Sequence, residues 1–313
     1  MMHPDFERAN ISVVVATYNG EPFLRKQLDS ILSQSLPPKE IIVVDDCSSD
    51  GTINILNEYA SSNASFRIIL NENNIGYIRN FEKGMMLATG DLIALSDQDD
   101  IWMPEKLETL YQNIGAHLII YSNSELIDEN GASLHQKMSD IKNQIGYYNC
   151  LMYTIGAWAP GHTFLFKKEL VERCIPFPSL VTHDFWLGFV ATCYSPIKYL
   201  PETLVLYRQH TFNAIGANTH AKKIHQVKPT KAELQQKSRE RMQLLYEKCP
   251  VALIEQKQVL KTISDSYQSY SLKNNLTRML VFLKYRHLIL AYKKKSSFMK
   301  ILFCVKMFFK IDY

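Results

Sequence analysis

No run of about 18 uninterrupted apolar residues occurs in this 313-residue chain, so no segment reads as a membrane-spanning helix. The first ten residues carry Asp5 and Glu7 and lead only into the short apolar stretch 11–16, a pattern unlike a secretory leader. The six cysteines (Cys47, Cys150, Cys174, Cys193, Cys249 and Cys304) show neither a C-x-x-C pair nor a Cys/His zinc spacing. Buried free thiols in a reducing compartment are therefore expected. A G-x-G-x-x-G loop after the first apolar run is missing, and so is G-x-x-x-x-G-K-[ST], which argues against a dinucleotide fold and a P-loop kinase. Glycine and proline, 12 each, are too few for a collagenous or low-complexity chain. A cytoplasmic globular protein of one large domain or two small ones is the expectation.

What is present is a regular alternation. Residues 11–16 (ISVVVA) and 40–44 (EIIVV) are β-branched runs that read as buried strands, and 66–70 and 92–95 add two more. Between them, 21–34, 53–60 and 76–87 carry apolar residues at helical spacing. This β-α-β-α-β-α-β order predicts a mostly parallel α/β sheet flanked by helices. Ligands bind beyond the carboxyl ends of strands in such sheets, so residues 17–19, 45–46 and 97–100 are expected to converge on one crevice. Beyond residue 115, strands are expected at 118–121, 162–166 and 204–207, and a helix at 184–191. From about 230 onward the chain reads as amphipathic helices.

Charge divides the chain. After residue 270 there are ten basic residues and a single acid, Asp312, a net of about +9. The whole-chain net is +4, which leaves the preceding part at about −5. Basic residues interleave with Leu280, Phe282, Leu288, Ile301, Phe303 and Phe308, the pattern of a helix lying on an anionic membrane surface. A helix packed on the body with a solvated basic face is the competing reading.

Asp97-Gln98-Asp99-Asp100 is the sharpest feature. Three carboxylates in four residues repel one another, and a bound cation relieves the repulsion. Carboxylate oxygens suit Mg²⁺ or Mn²⁺. The alternative is a solvated acidic turn in which Asp100 caps the following helix. Asp46 at a strand end suits a nucleotide base or ribose. Arg79 is placed to reach the same crevice. Asp184 sits between His183 and Phe185-Trp186, where burial favours the neutral acid and prepares a general base. Arg208 and His210 follow a strand and suit a phosphate or a metal, whereas Trp158 and Trp186 offer faces to sugar rings.

Three segments, ISVVVATYNGEPFLRKQLDSILSQSLPPKEIIVVDDCSSDGT, NNIGYIRNFEKG and LSDQDDIWMPEKL, resemble glycosyltransferase family 2, of GT-A type, over about residues 10–110. SDQDDIW resembles the bacterial branch that builds rhamnose-containing and other surface polysaccharides. GHTFLFKKEL, HDFW and YRQH extend the likeness to about residue 220. The resemblance implies a GT-A sheet with Rossmann-like nucleotide binding over 1–225 (1–110 for the donor, 111–225 for the acceptor); the helical basic region over 226–313 lies outside it and rests on charge and periodicity. The resemblance also implies inverting, non-processive transfer from a UDP-hexose or dTDP-rhamnose donor to a glycan or lipid-linked oligosaccharide, with Mn²⁺ or Mg²⁺, at the inner face of the cell membrane and with no nucleic-acid partner. By position, Ala16, Thr17, Tyr18, Asn19, Glu21 and Asp46 would hold base and ribose, with Arg79 near the diphosphate. Asp99 would ligate the metal directly, with Asp97 nearer the ribose and His210 on metal or diphosphate. Asp184 would be the base, and Trp158, His162, His183, Trp186 and Arg208 would face acceptor or diphosphate. His183-Asp184 and Tyr207-Arg208-Gln209-His210 stand where many members have Glu-Asp and Gln-x-x-Arg-Trp, which keeps the base and weighs against processive polymerisation. A sugar-phosphate nucleotidyltransferase and a non-catalytic carbohydrate-binding protein are the alternatives.

Overall fold

The computed structural model describes residues 9–210 and 230–310. The readings on Asp5, Glu7 and Asp312, and a domain break near 225, fall outside those residues. The expected alternation forms: β1 (Ile11–Thr17), α1 (Glu21–Leu32), β2 (Glu40–Asp45), α2 (Thr52–Ser62), β3 (Phe66–Leu70), α3 (Tyr77–Leu87) and β4 (Leu92–Ser96). Strands β3, β2, β1 and β4 pair in parallel, in that order. The period-2 geometry of a strand splits its side chains between two faces. Val13, Val15, Ile41 and Val43 pack with Leu24, Leu28 and Ile31 of α1 on one face. Val14, Ile42 and Val44 pack with Phe81 and Met85 of α3 on the other.

The second half departs from simple winding. The acidic bend leads into a two-residue strand, β5 (Ile101–Trp102), and α4 (Lys106–Ile114) starts only after it. Asp100 therefore does not cap a helix. Strand β6 (Ile119–Ile127) is longer than expected, and β7 (Ser133–Lys137) and α5 (Met138–Ile141) follow. Residues 161–163 form a 3-10 turn, not a strand, before β8 (Phe164–Lys167). Helices α6 (Glu169–Cys174) and α7 (His183–Thr192) precede β9 (Lys198–Arg208). β8 runs antiparallel between β4 and β6, while β9 runs parallel to β6. The beginning of β8 and the ends of β4, β6 and β9 thus lie at the same edge of the sheet.

The C-terminal helices are α8 (Lys231–Lys248), α9 (Ile254–Tyr267), α10 (Leu272–Lys284), α11 (Arg286–Ile289) and α12 (Ser297–Lys306). Their buried residues Leu245, Ile263, Phe282, Leu290 and Cys304 join the apolar cluster that covers the α3 face of the sheet. Arg278 is fully buried and donates to the Met307 and Ser266 carbonyls and to Asn275. The basic tail packs on the body and still leaves Leu272, Leu280, Phe298 and Phe309 more than half exposed.

Candidate active site

The carboxyl edge of the sheet opens into a cavity of about 760 Å³ lined by all three expected strand ends and by the start of α7. Asp97, Asp99 and Asp184 share it. The acidic bend is held from beneath. Asp100 is fully buried; one carboxylate oxygen accepts from the Arg208 backbone N–H at 3.0 Å and the other has no hydrogen-bond partner among the described residues. The buried Arg208 guanidinium donates to the backbone carbonyls of Asp99 (2.7 Å), Asp128 (3.1 Å) and Glu129 (2.9 Å). It does not line the cavity: Arg208 fixes the bend from behind, and the expectation of a phosphate contact is corrected by its position.

Asp99 meets His210 at 2.7 Å (Oδ2 to Nε2), so the structure brings these two expected residues together. His162 is buried, stacks on Tyr207 at 4.6 Å and places Nδ1 3.8 Å from Asp97 and 4.0 Å from Asp100. Its other ring nitrogen, Nε2, is buried without a hydrogen-bond partner among the described residues. Lys106 is fully buried, lies over the Trp102 ring at 3.3 Å and donates to the His162 carbonyl at 2.7 Å. Burial, then the Asp99 and Asp184 charges, push the Asp97 carboxyl up to about 7. The Asp97 side chain remains 42% exposed, so water in the cavity tempers that rise. Burial, then Asp99 and Asp97, hold Asp100 well above the carboxylate range. Burial, then Lys106 and His183, push His162 down to about 3.

This is a site short of positive charge. The ligand atoms of Asp97, Asp100 and His162 lie within 4.8 Å of one another, two of those residues carry orphaned buried polar atoms, and Asp99 with His210 stands beside them. The carboxylate oxygens fit Mg²⁺ or Mn²⁺. Asp100 belongs to the acidic bend expected to hold a cation, whereas His162 was expected to face acceptor or diphosphate; the orphaned atoms that mark both exist only once the chain is folded.

On the β1–β2 side the cavity is lined by Ala16, Thr17, Tyr18 and Asp46. Tyr18 brackets the Gln98 amide through its N–H and C=O at 2.8 and 3.0 Å. Asn19 and Glu21 do not line the cavity. Asn19 has a left-handed backbone (φ 49°) and accepts from the Ser49 N–H, and Glu21 accepts from the Gly51 N–H. Both tie the first loop to the second. Asp46 accepts from Asn71 and from the N–H groups of Ile75 and Gly76, so most of its acceptor capacity shapes the loop before α3. Arg79 pairs with Glu82 and lines a different groove, of about 670 Å³, with Pro176–Leu180 and α8. The expected placement of Arg79 near the diphosphate is thereby corrected: its helix aims it away from the crevice.

Asp184 lines the same cavity. Its carboxylate accepts from the Thr182 hydroxyl, the Phe185 N–H (2.7 Å) and the Gly161 N–H (3.3 Å). A Cβ on Gly161 would stand 2.8 Å from His183 Nε2, so glycine allows this close approach. His183 lines the cavity and stacks on Phe81, and burial lowers its pKa. Trp158 also lines the cavity, with the Lys142 ammonium 4.0 Å from its ring. Trp186 is a correction: it is 3% exposed, sits in the core and donates to the Cys174 carbonyl, because the helical period turns it inward from Asp184. Two cavity-lining cations, Lys142 and Arg241, escaped the sequence reading. Arg241 comes from α8 and lies 4.4 Å from the Phe185 ring. No local motif marks it, since helix packing alone brings it there.

The model of glycosyl transferase family 2 matches residues 12–174. The chain is 30% identical over 219 residues to a dTDP-rhamnosyl transferase, RfbG of Shigella flexneri, covering 65% of this chain and 74% of that one. It is 28% identical over 225 residues to the uncharacterized glycosyltransferase alr2836 of Nostoc sp., covering 67% and 66%. The chain thus spans roughly two thirds of the length of the relatives it matches. The fold is similar to that of S. aureus TarS 1–349 in complex with UDP-GlcNAc, with a TM-score of 0.59 at 17% identity over 90% of this chain and 81% of that one.

Proposed function

Because the chain belongs to glycosyl transferase family 2, we propose that it transfers a sugar from a nucleotide-sugar donor to a hydroxyl of a glycan or lipid-linked oligosaccharide, with inversion and without processive polymerisation. The observation that supports this reading is the cavity itself, whose lining includes both the acidic bend and Asp184. Residues 16–18 and Asp46 form the wall that takes base and ribose. Asp97, Asp99, Asp100, His162 and His210 would hold Mn²⁺ or Mg²⁺, and the ion when bound supplies neutralisation of the diphosphate charge. Asp184 accepts the proton of the acceptor hydroxyl. As the new C–O bond forms, the bond from the anomeric carbon to the diphosphate oxygen breaks on the opposite face, and the nucleoside diphosphate leaves with the electron pair. Thr182, Gly161 and the Phe185 N–H aim the Asp184 carboxylate, and Lys142 and Arg241 offer positive charge to an anionic substrate group.

The dTDP-rhamnosyl transferase relative supports a dTDP-rhamnose donor and the UDP-GlcNAc-bound neighbour a UDP-sugar donor, whereas a role in surface polysaccharide synthesis rests on the SDQDDIW resemblance. Calorimetry with each donor in the presence of Mn²⁺ or Mg²⁺ tests the reading, and binding of neither class overturns it. Among the described residues no helix is long and apolar enough to cross a membrane. Exposed Leu280, Phe298 and Phe309 beside the tail's basic residues support association with the anionic inner membrane face.

A further inference from the structure

On the far side of the α7 layer, three cysteines from distant parts of the chain meet. Cys150 opens the 3-10 turn Cys150–Tyr153, Cys193 follows the last residue of α7, and Cys249 follows the last residue of α8. All three are buried, at 1%, 7% and 1% exposure, and their sulfur atoms lie within 4.8 Å of one another. Sulfurs sharing one zinc at about 2.3 Å stand about 3.8 Å apart, so little movement separates this arrangement from a coordination set. Backbone oxygens are close as well: the Phe189 carbonyl is 3.5 Å from the Cys193 sulfur and the Pro250 carbonyl 3.9 Å from that of Cys249.

We propose that Cys150, Cys193 and Cys249 bind one thiophilic divalent cation, zinc by the chemistry of the set, as a structural clamp independent of the sugar-transfer site. Binding exchanges one proton per thiol for three sulfur–metal bonds. A divalent ion with three thiolates carries a net charge of −1. The Lys257 ammonium, which donates to the Cys249 carbonyl at 2.7 Å, supplies the compensating charge. The fourth position falls to water or a backbone oxygen, since among the described residues no fourth side chain joins the group. The clamp has a consequence for the cavity. Cys150 precedes the wall residues Tyr153 and Ile155 to His162, Cys193 follows the helix that carries Asp184 in its first turn, and Cys249 follows the helix that carries Arg241. One ion would pin all three segments.

The test is titration of the reduced, chelator-treated full chain with Cd²⁺, a spectroscopic stand-in for zinc. The expected result is a thiolate-to-cadmium ultraviolet band that saturates at one equivalent. It disappears in Cys193→Ala and Cys249→Ala and persists in Cys47→Ala and Cys304→Ala. Zinc raises the Tm of the wild-type chain and leaves that of Cys193→Ala unmoved. A readout without substitution uses zinc protection from alkylation, followed peptide by peptide in the wild-type chain. No band, a band indifferent to Cys193→Ala, equal labelling of the three cysteines with and without zinc, or a disulfide between two of them in the freshly isolated protein would each overturn the proposal.

Discussion

His162 provides a quantitative check on the electrostatics of the cavity. Two influences oppose each other at its ring. Asp97 and Asp100, at 3.8 and 4.0 Å, favour the imidazolium; burial and Lys106 disfavour it. Those separations exceed a charge-assisted hydrogen bond, and the two carboxyls are themselves raised, so burial prevails and the folded value falls to about 3. The unfolded chain takes the proton near pH 6.5. A depressed histidine stabilises the fold fully above the unfolded value, and that contribution is lost as pH falls toward the folded one. At pH 5 the deficit is about 2 kcal/mol, from about 1.4 kcal/mol per pH unit over about 1.5 units. Asp97 and Asp100 slope the other way: their raised folded values favour the fold at low pH, and that favour is lost as pH rises through them. Comparing wild type with His162→Asn cancels the carboxylate slopes. Urea unfolding of both proteins in chelator, from pH 7 to pH 5, should show wild type losing about 2 kcal/mol relative to the variant. A relative stability constant within about 0.5 kcal/mol over that range would mean the native site protonates His162, and the reasoning would fail.

Asp184→Asn should lower sugar transfer by roughly 10²–10⁴ while donor affinity holds, read as single-turnover rate beside calorimetry; near-wild-type transfer would remove Asp184 as the base. Asp99→Ala should abolish the metal-dependent part of donor binding, and unchanged calorimetry with Mn²⁺ would refute its place in the ligand set. A Cβ on Gly188 would stand 2.2 Å from the buried Tyr153 hydroxyl. Gly188→Ala should therefore cost about 1–3 kcal/mol in unfolding experiments, with a wild-type midpoint as the contrary result. The double variant Phe298→Ser/Phe309→Ser should keep its Tm and lose cosedimentation with anionic vesicles, and undiminished binding would count against a tail-driven contact.

The first half of the sheet was legible because its signals are local. Strands buried on both faces must read as continuous β-branched runs, and parallel pairing of β1, β2 and β4 puts their polar ends side by side whatever else the chain does. Thr17, Asp46, Asp97 and Asp99 followed from that, and Asp184 from the family-like HDFW segment. The sequence alone thus determined the alternating α/β order, the convergence of acidic strand ends and the amphipathic helices of the tail. Tertiary structure decided which of the remaining charges face the cavity. The antiparallel insertion of β8 carries His162 to the acidic bend, the end of β9 puts Arg208 behind that bend and His210 against Asp99, and the packing of α8 delivers Arg241. Helix rotation turned Arg79 and Trp186 away. Strand period and hydrophobic runs are written in neighbouring residues, whereas contacts between segments a hundred positions apart depend on how whole elements pack, and no short pattern encodes that.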